Sequence, residues 1–143
     1  GVASQGGITV STFDPKRGNR EEKVTVKLES PLTAWNISSD ASVAFTTPEA
    51  IEVHAANGQS WKSPLKSLPG KVTDLGFAEG TGDLLVTTTS SVKNSLLLVG
   101  RGGVKPLLED RRELSSPVAS PDGRKLLFGV KTNSSNVWLI DGI

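Results

Sequence analysis

Val118-Ala119-Ser120-Pro121-Asp122-Gly123-Arg124-Lys125-Leu126-Leu127-Phe128 reads as a β-prone run, a tight reversal and the start of a second β-prone run. Pro121 fixes φ, Asp122 can cap the turn with its side chain, and Gly123 accepts positive φ, so the segment reverses the chain between adjacent antiparallel strands. A third run follows at Asn136-Val137-Trp138-Leu139-Ile140 and is closed by Asp141-Gly142. The same ending recurs upstream: Gly58, Gly100 and Gly142 stand 42 residues apart, each closing a short β-prone run. Other positions keep the period. Phe45, Val86 and Phe128 are separated by 41 and 42 residues, and Ile37, Phe77 and Ala119 by 40 and 42.

A repeat of that length is the size of one four-stranded propeller blade. The local reading agrees with it. Ile8 to Phe13 and Lys23 to Leu28 form a predicted hairpin about the polar Asp14-to-Asn19 turn. Four runs follow, Ala34 to Ser38, Ser42 to Thr47, Ala50 to Ala55 and Ser60 to Leu68, the last two joined by the tight-turn dipeptide Asn57-Gly58. A second group of four is Val72 to Ala78, Asp83 to Thr89, Ser95 to Val99 and Val104 to Leu108, with Arg101-Gly102-Gly103 at a turn. The third group is Ser116 to Ser120, Lys125 to Lys131 and Asn136 to Ile140. Apolar positions follow period two, so about thirteen strands and no helix are predicted. The predicted fold is all-β, a propeller-type stack of four-stranded antiparallel blades. Residues 1–33 make a partial blade, 34–70 and 71–114 whole blades, and 115–143 a partial blade. The initial hairpin is expected to lack its inner strands and the final group its outer one.

Composition bounds the function classes. The chain has 143 residues, enough to bury roughly two-thirds of its unfolded surface as one domain. With 36% hydrophobic and 22% charged residues and no long apolar run, it reads as soluble and globular, without a transmembrane span or signal peptide. The absence of cysteine excludes disulfides, thiolate nucleophiles and Cys-ligated metals. Sixteen Lys and Arg against fifteen Asp and Glu leave no global field for phosphate backbones or anionic membranes, so neither nucleic-acid binding nor membrane insertion is expected.

The third group, from Val118 to Phe128 and from Asn136 to Gly142, resembles a WD40-like repeat of the TolB type, also called PD40. Ser39-Asp40 stands in the first whole blade where Pro121-Asp122 stands in the third group, and Asn57-Gly58 where Asp141-Gly142 stands. The middle blade departs from the pattern, with Glu79-Gly80-Thr81-Gly82-Asp83 at the corresponding turn. The resemblance implies a C-terminal propeller fragment of a larger bacterial TolB-like or sensor/regulatory protein. It further implies an interaction platform, and it favours the periplasm over the cytoplasm. It carries over no catalytic residue, cofactor or metal site.

Motifs that could carry chemistry are few. His54 is the only histidine and sits inside a β run, and no Gly-x-Ser-x-Gly elbow accompanies it. Ser63-Pro64-Leu65-Lys66 and Ser90-Ser91-Val92-Lys93 both match Ser-x-x-Lys, but neither opens a helix, and both read as turns. The seven aspartates fall mostly one per turn, with no Asp-x-Asp-x-Asp run for a metal. Gly100-Arg101-Gly102-Gly103 lacks the helix and the Lys-Ser/Thr of a phosphate cradle, and reads as a hairpin loop. Asn36-Ile37-Ser38 and Asn133-Ser134-Ser135 match glycosylation acceptors in form alone. Glu109-Asp110-Arg111-Arg112-Glu113 reads as a solvated connector between blades, with a salt-sensitive contact patch as its functional reading.

Phe45, Phe128 and Trp138 are assigned to sheet packing. Trp35 lies near the expected central channel and Trp61 starts an outer strand. The binding residues proposed from sequence are Trp35, Trp61, Arg101, Arg111 and Arg112, with no catalytic, cofactor or metal residue. The function expected is non-catalytic binding and scaffolding of a protein partner, with the isolated chain pairing to a second copy through its open edges. Two alternatives stand beside it. One is a propeller segment of a prolyl-oligopeptidase-like hydrolase. The other is a carbohydrate-binding β-sandwich, which Trp35 and Trp61 on one face would favour.

Overall fold

Alternating side chains separated by turn residues produce meandering antiparallel strands, because each short turn returns the chain beside the strand it has just left. The structure, a computed structural model, describes residues 2–4, 7–28, 33–78, 81–131 and 136–141. Its first sheet orders β1 (Val2–Ser4), β2 (Gly7–Asp14) and β3 (Asn19–Lys27). The second holds β4 (Trp35–Ile37), β5 (Val43–Thr46), β6 (Ala50–His54) and β7 (Ser60–Pro64). In the third are β8 (Lys71–Ala78), β9 (Asp83–Thr89), β10 (Asn94–Gly100) and β11 (Gly103–Asp110). The fourth has β12 (Glu113–Ala119), β13 (Lys125–Lys131) and β14 (Asn136–Asp141). Every pairing is antiparallel and every sheet runs in chain order, which makes the chain an all-β, propeller-like stack of blades.

Three apolar layers hold the stack together. Ile8, Val10, Val24 and Val26 of the first sheet meet Val43 and Phe45 of the second. Ala44 and Val53, on the other face of that second sheet, meet Leu84, Val86, Leu97 and Val99 of the third. Leu85 and Leu96 then meet Leu114, Leu126, Phe128 and Val130 of the fourth. Leu84, Leu85 and Val86 are consecutive and all buried, as a strand covered on both faces requires. Phe45, Val86 and Phe128, the residues that keep the repeat, occupy the same place in successive sheets, each facing the sheet before it.

The inner strands β4, β8 and β12 lie side by side and are tied across the sheets. Asn36 Nδ2 donates to the Leu75 carbonyl at 3.0 Å, and the Ser116 amide donates to Asp74 Oδ2 at 2.7 Å. Ser116 has φ +50°, at a register shift between Ser115 and Val118 that aims its amide at Asp74. Neither tie follows from alternation, because each joins residues about one repeat apart.

Four local expectations are corrected. There are fourteen strands among the described residues, not thirteen, because Val2–Ser4 pairs with β2, and the first sheet is therefore three-stranded rather than a hairpin. Three residues are too few to show a period. The run expected from Ser60 to Leu68 ends at Pro64 and gives way to a 3₁₀ turn, Leu65–Ser67. There the Leu65 amide donates to Glu49, and Ser67 Oγ donates to the Pro64 carbonyl. The connector expected over Glu109 to Glu113 is mostly strand: β11 reaches Asp110, β12 starts at Glu113 rather than Ser116, and only Arg111 and Arg112 form the turn. Finally, Gly100 belongs to β10 rather than to a loop. Glu79-Gly80, Asn133 to Ser135, Gly142 and the side chain of Trp138 lie outside the described residues.

Candidate functional site

The turns between first and second strands repeat one hydrogen-bonded device. In the fourth sheet Ser120 Oγ donates to Asp122 and accepts from the Lys125 amide, while the Arg124 amide donates to Asp122. In the second sheet Ser38 Oγ donates to Asp40, and the Ser42 amide donates to both Asp40 and Ser38 Oγ. These bonds favour the charged carboxylates: the hydroxyl of Ser38 holds Asp40, and that of Ser120 holds Asp122, below the ordinary carboxylate range. The left-handed position falls on Gly123 (φ +72°) in one turn and on Ala41 (φ +68°) in the other. The likeness of Ser39-Asp40 to Pro121-Asp122 is thus a likeness of geometry. Each turn fixes one end of a blade.

At that end a cleft of about 430 Å³ opens between the second and third sheets. Its walls bring together Trp61 and Arg101, two residues proposed from sequence, with Asp40, Gln59, Phe77 and Asp83. Arg101 Nη2 donates to Gln59 Oε1 at 3.4 Å, linking the last turn of one sheet to that of the next. Asp83, Phe77 and Gln59 were missed in the sequence. The only signal for Asp83 was its place beside Gly82 in the turn that departs from the family pattern.

Trp35 does not join them. It is 50% exposed and stands opposite Phe45 on the face toward the first sheet, whereas Trp61 stands opposite Val53 on the face toward the third. The condition for the carbohydrate-binding sandwich, both tryptophans on one face, is not met.

Arg111 and Arg112 sit together at the β11–β12 turn, away from the cleft-lining residues. Asn94 Nδ2 donates to both of their carbonyls, at 3.0 and 2.9 Å. Arg112 Nε and Nη2 reach the two oxygens of Asp110 at 3.0 and 2.8 Å. This two-point hold, with the Arg112 amide, brings the Asp110 carboxyl down to about 2. A carboxyl lowered on folding stabilises the native state above its unfolded pKa and loses that contribution as pH falls through the folded one. The urea midpoints of the parent and of Asp110→Asn are therefore expected to differ at pH 7 and to converge between about pH 4 and about pH 2. A gap unchanged at pH 2 would show that the carboxylate contributes nothing through this pair.

His54 is half-buried, 3.2 Å from Glu52 Oε1, with its ring stacked on Phe45 at 5.6 Å between centroids. That is a packing role. Ser90 and Lys93 close a turn on one another, as their motif was read. Among the described residues no group of three His, Asp or Glu side chains is placed to hold a metal, and no helix is long and apolar enough to cross a membrane.

The outer face of the fourth sheet is apolar and open. Val118, Leu127 and Leu139 stand opposite one another across its three strands, at 57%, 45% and 54% exposure, with Val137 beside them. Ion pairs Lys125–Asp141 and Lys131–Glu113 bracket the row. The equivalent rows, Ala44 with Val53 and Leu85 with Leu98, are each packed against the following sheet.

No protein-family profile matches the sequence, and no curated protein does. Among solved structures the chain is similar to the crystal structure of selenomethionine substituted virginiamycin B lyase from Staphylococcus aureus. The TM-score is 0.49 and the identity 17%, over 77% of this chain and 41% of that one, so the chain spans less than half of that protein's length.

Proposed function

We propose that this chain is a non-catalytic, propeller-type interaction and scaffold module of the TolB-like kind, acting through the outer face of its fourth sheet. The observation that carries the reading is the row Val118, Leu127 and Leu139, which remains exposed where its two counterparts in the stack are covered. Contiguous apolar surface with a charged rim is the ordinary composition of a protein-binding face. The tied inner strands hold that face rigid, so little conformational entropy is lost when a partner covers it.

The isolated chain covers the face with a second copy. Face contact suits the strand order better than edge pairing: β3 is already bonded to β2, so joining it to β14 would make a six-stranded sheet rather than a four-stranded blade. Light scattering on a sizing column, over a range of concentrations, should show reversible association. A Leu127→Lys/Leu139→Lys variant should weaken it by about tenfold or more while keeping the parent's circular dichroism and, at concentrations where both proteins are monomeric, its urea midpoint, since both side chains are already exposed. A monomer at every concentration, or association that the double variant leaves intact, would remove this reading.

A further inference from the structure

We propose that the cleft between the second and third sheets binds a carboxylate carried on an aromatic, apolar body. The site is separate from the open face, which belongs to the fourth sheet. Arg101 is the only Lys or Arg among the residues lining the cleft, and its Nη2 contact with Gln59 shows that the guanidinium reaches in toward the second sheet. Trp61 and Phe77 supply the apolar wall. Trp61 stands opposite Val53 and Phe77 opposite Leu84, and all four belong to the layer between these two sheets. The volume of about 430 Å³ lies within the range of small-molecule sites.

The guanidinium is positioned yet little used internally. Its contact with Gln59 is 3.4 Å long, and no carboxylate pairs with it among the described residues. The two acidic residues that line the cleft are both placed otherwise. Asp40 lies at the inner end, at the β4–β5 turn, where Ser38 Oγ and the Ser42 amide hold its carboxylate. Asp83 turns its carboxylate out of the cleft: it pairs with Ala78 and lies over Gly100, on the side of the third sheet that carries Leu85 and Leu98 and faces the fourth. Arg101 and Gln59 stand at the outer end, at the β10–β11 and β6–β7 turns. A ligand there gains a charge-assisted bond without breaking a strong one, which is what pre-organisation supplies.

Charge and shape select the class. The planar guanidinium fork matches the two oxygens of a carboxylate, and Asn57 and Gln59, which line the same end, add neutral amide donors. The adjoining rings favour a carboxylate attached to an apolar group over a bare anion. A cation meets the like charge of Arg101, and a neutral molecule forgoes the charge-assisted bond. A free aromatic acid and the C-terminal residue of a peptide share this chemistry, so both are tested.

The experiment is titration of the whole chain, followed by NMR at the Trp61 indole. The free acid is phenylacetate, and the chain end is acetyl-Gly-Phe with its carboxylate free. The controls are the amide of each, benzylamine, acetate and inorganic phosphate. At least one of the two aromatic carboxylates should shift the indole resonance and bind about tenfold or more tightly than its own amide, than benzylamine and than the bare anions. The tighter of the two identifies the source. Arg101→Gln should weaken binding by about tenfold or more, the expected loss of one charge-assisted hydrogen bond. It should keep the parent's urea midpoint, because the Arg101 side chain is exposed. Lys66→Gln removes the same charge at the opposite end of the second sheet, in the 3₁₀ turn after β7, and should bind as the parent does. No shift with either aromatic carboxylate, an amide or a bare anion bound as tightly as the acid, or binding that survives Arg101→Gln would overturn the proposal.

Discussion

Phe128→Ala is expected to lower the unfolding free energy by about 3–5 kcal/mol, the usual range for truncating a core phenylalanine. Phe128 is 4% exposed and projects from β13, between Leu126 and Val130, into the layer formed with Leu85 and Leu96 of the third sheet. Each sheet is held to its neighbours by one such layer. Removal of the ring leaves a void where rigid sheets on both sides have little room to close, so both the transfer energy and the contacts are lost. For a domain whose whole stability is about 5–15 kcal/mol, that is a large fraction. His54→Ala is the comparison. It removes a half-buried ring whose main contact is its stack on Phe45, and should lower stability by about 1 kcal/mol. Urea titration of the three proteins at one pH gives the answer. If the Phe128→Ala and parent midpoints coincide, the fourth sheet does not pack on the third as described.

Gly76→Ala should destabilise by about 1–3 kcal/mol, toward the upper end, although it adds a single methyl. A Cβ at residue 76 would lie 2.3 Å from the Pro117 carbonyl oxygen, a backbone atom with no rotamer to move aside. The inner strands β8 and β12 must separate to admit it. That separation also lengthens the 2.7 Å bond from the Ser116 amide to Asp74, two residues along β8. The expected signature is therefore double: a lower thermal midpoint, and faster hydrogen exchange at the Ser116 amide than in the parent. An unchanged midpoint with the amide still protected would mean that the inner strands are not closely packed.

Much of this molecule was legible before its structure. Asn57-Gly58 and Ser120-Pro121-Asp122-Gly123 announced turns because turn chemistry is local, settled by the φ preferences and side-chain oxygens of four residues. Phe45, Val86 and Phe128 marked equivalent strands because each sheet must bury the same position against the sheet before it. Period-two alternation then settled the class as all-β.

The site was less legible. Of the five binding residues proposed from sequence, Trp61 and Arg101 meet at one cleft, Trp35 lies on the opposite face of its sheet, and Arg111 and Arg112 stay at their turn. Trp35 and Trp61 are 26 residues apart, and their faces depend on the register of three successive pairings, each able to invert the outcome by slipping one residue. Local sequence thus carried most of the turns and strands, the repeat and the residues that fill the layers, since these depend on neighbours within one hairpin, while the three-residue β1 and the start of β12 at Glu113 did not show in it. The Asn36 and Asp74 ties, the cleft that joins Gln59 to Arg101, and the exposed row on the fourth sheet came into view with the packing of the sheets alone. The ties and the cleft join residues about 40 positions apart, and the row lies on the face of the fourth sheet turned away from the third, so all three arise from how blades stack rather than from any pattern within one blade.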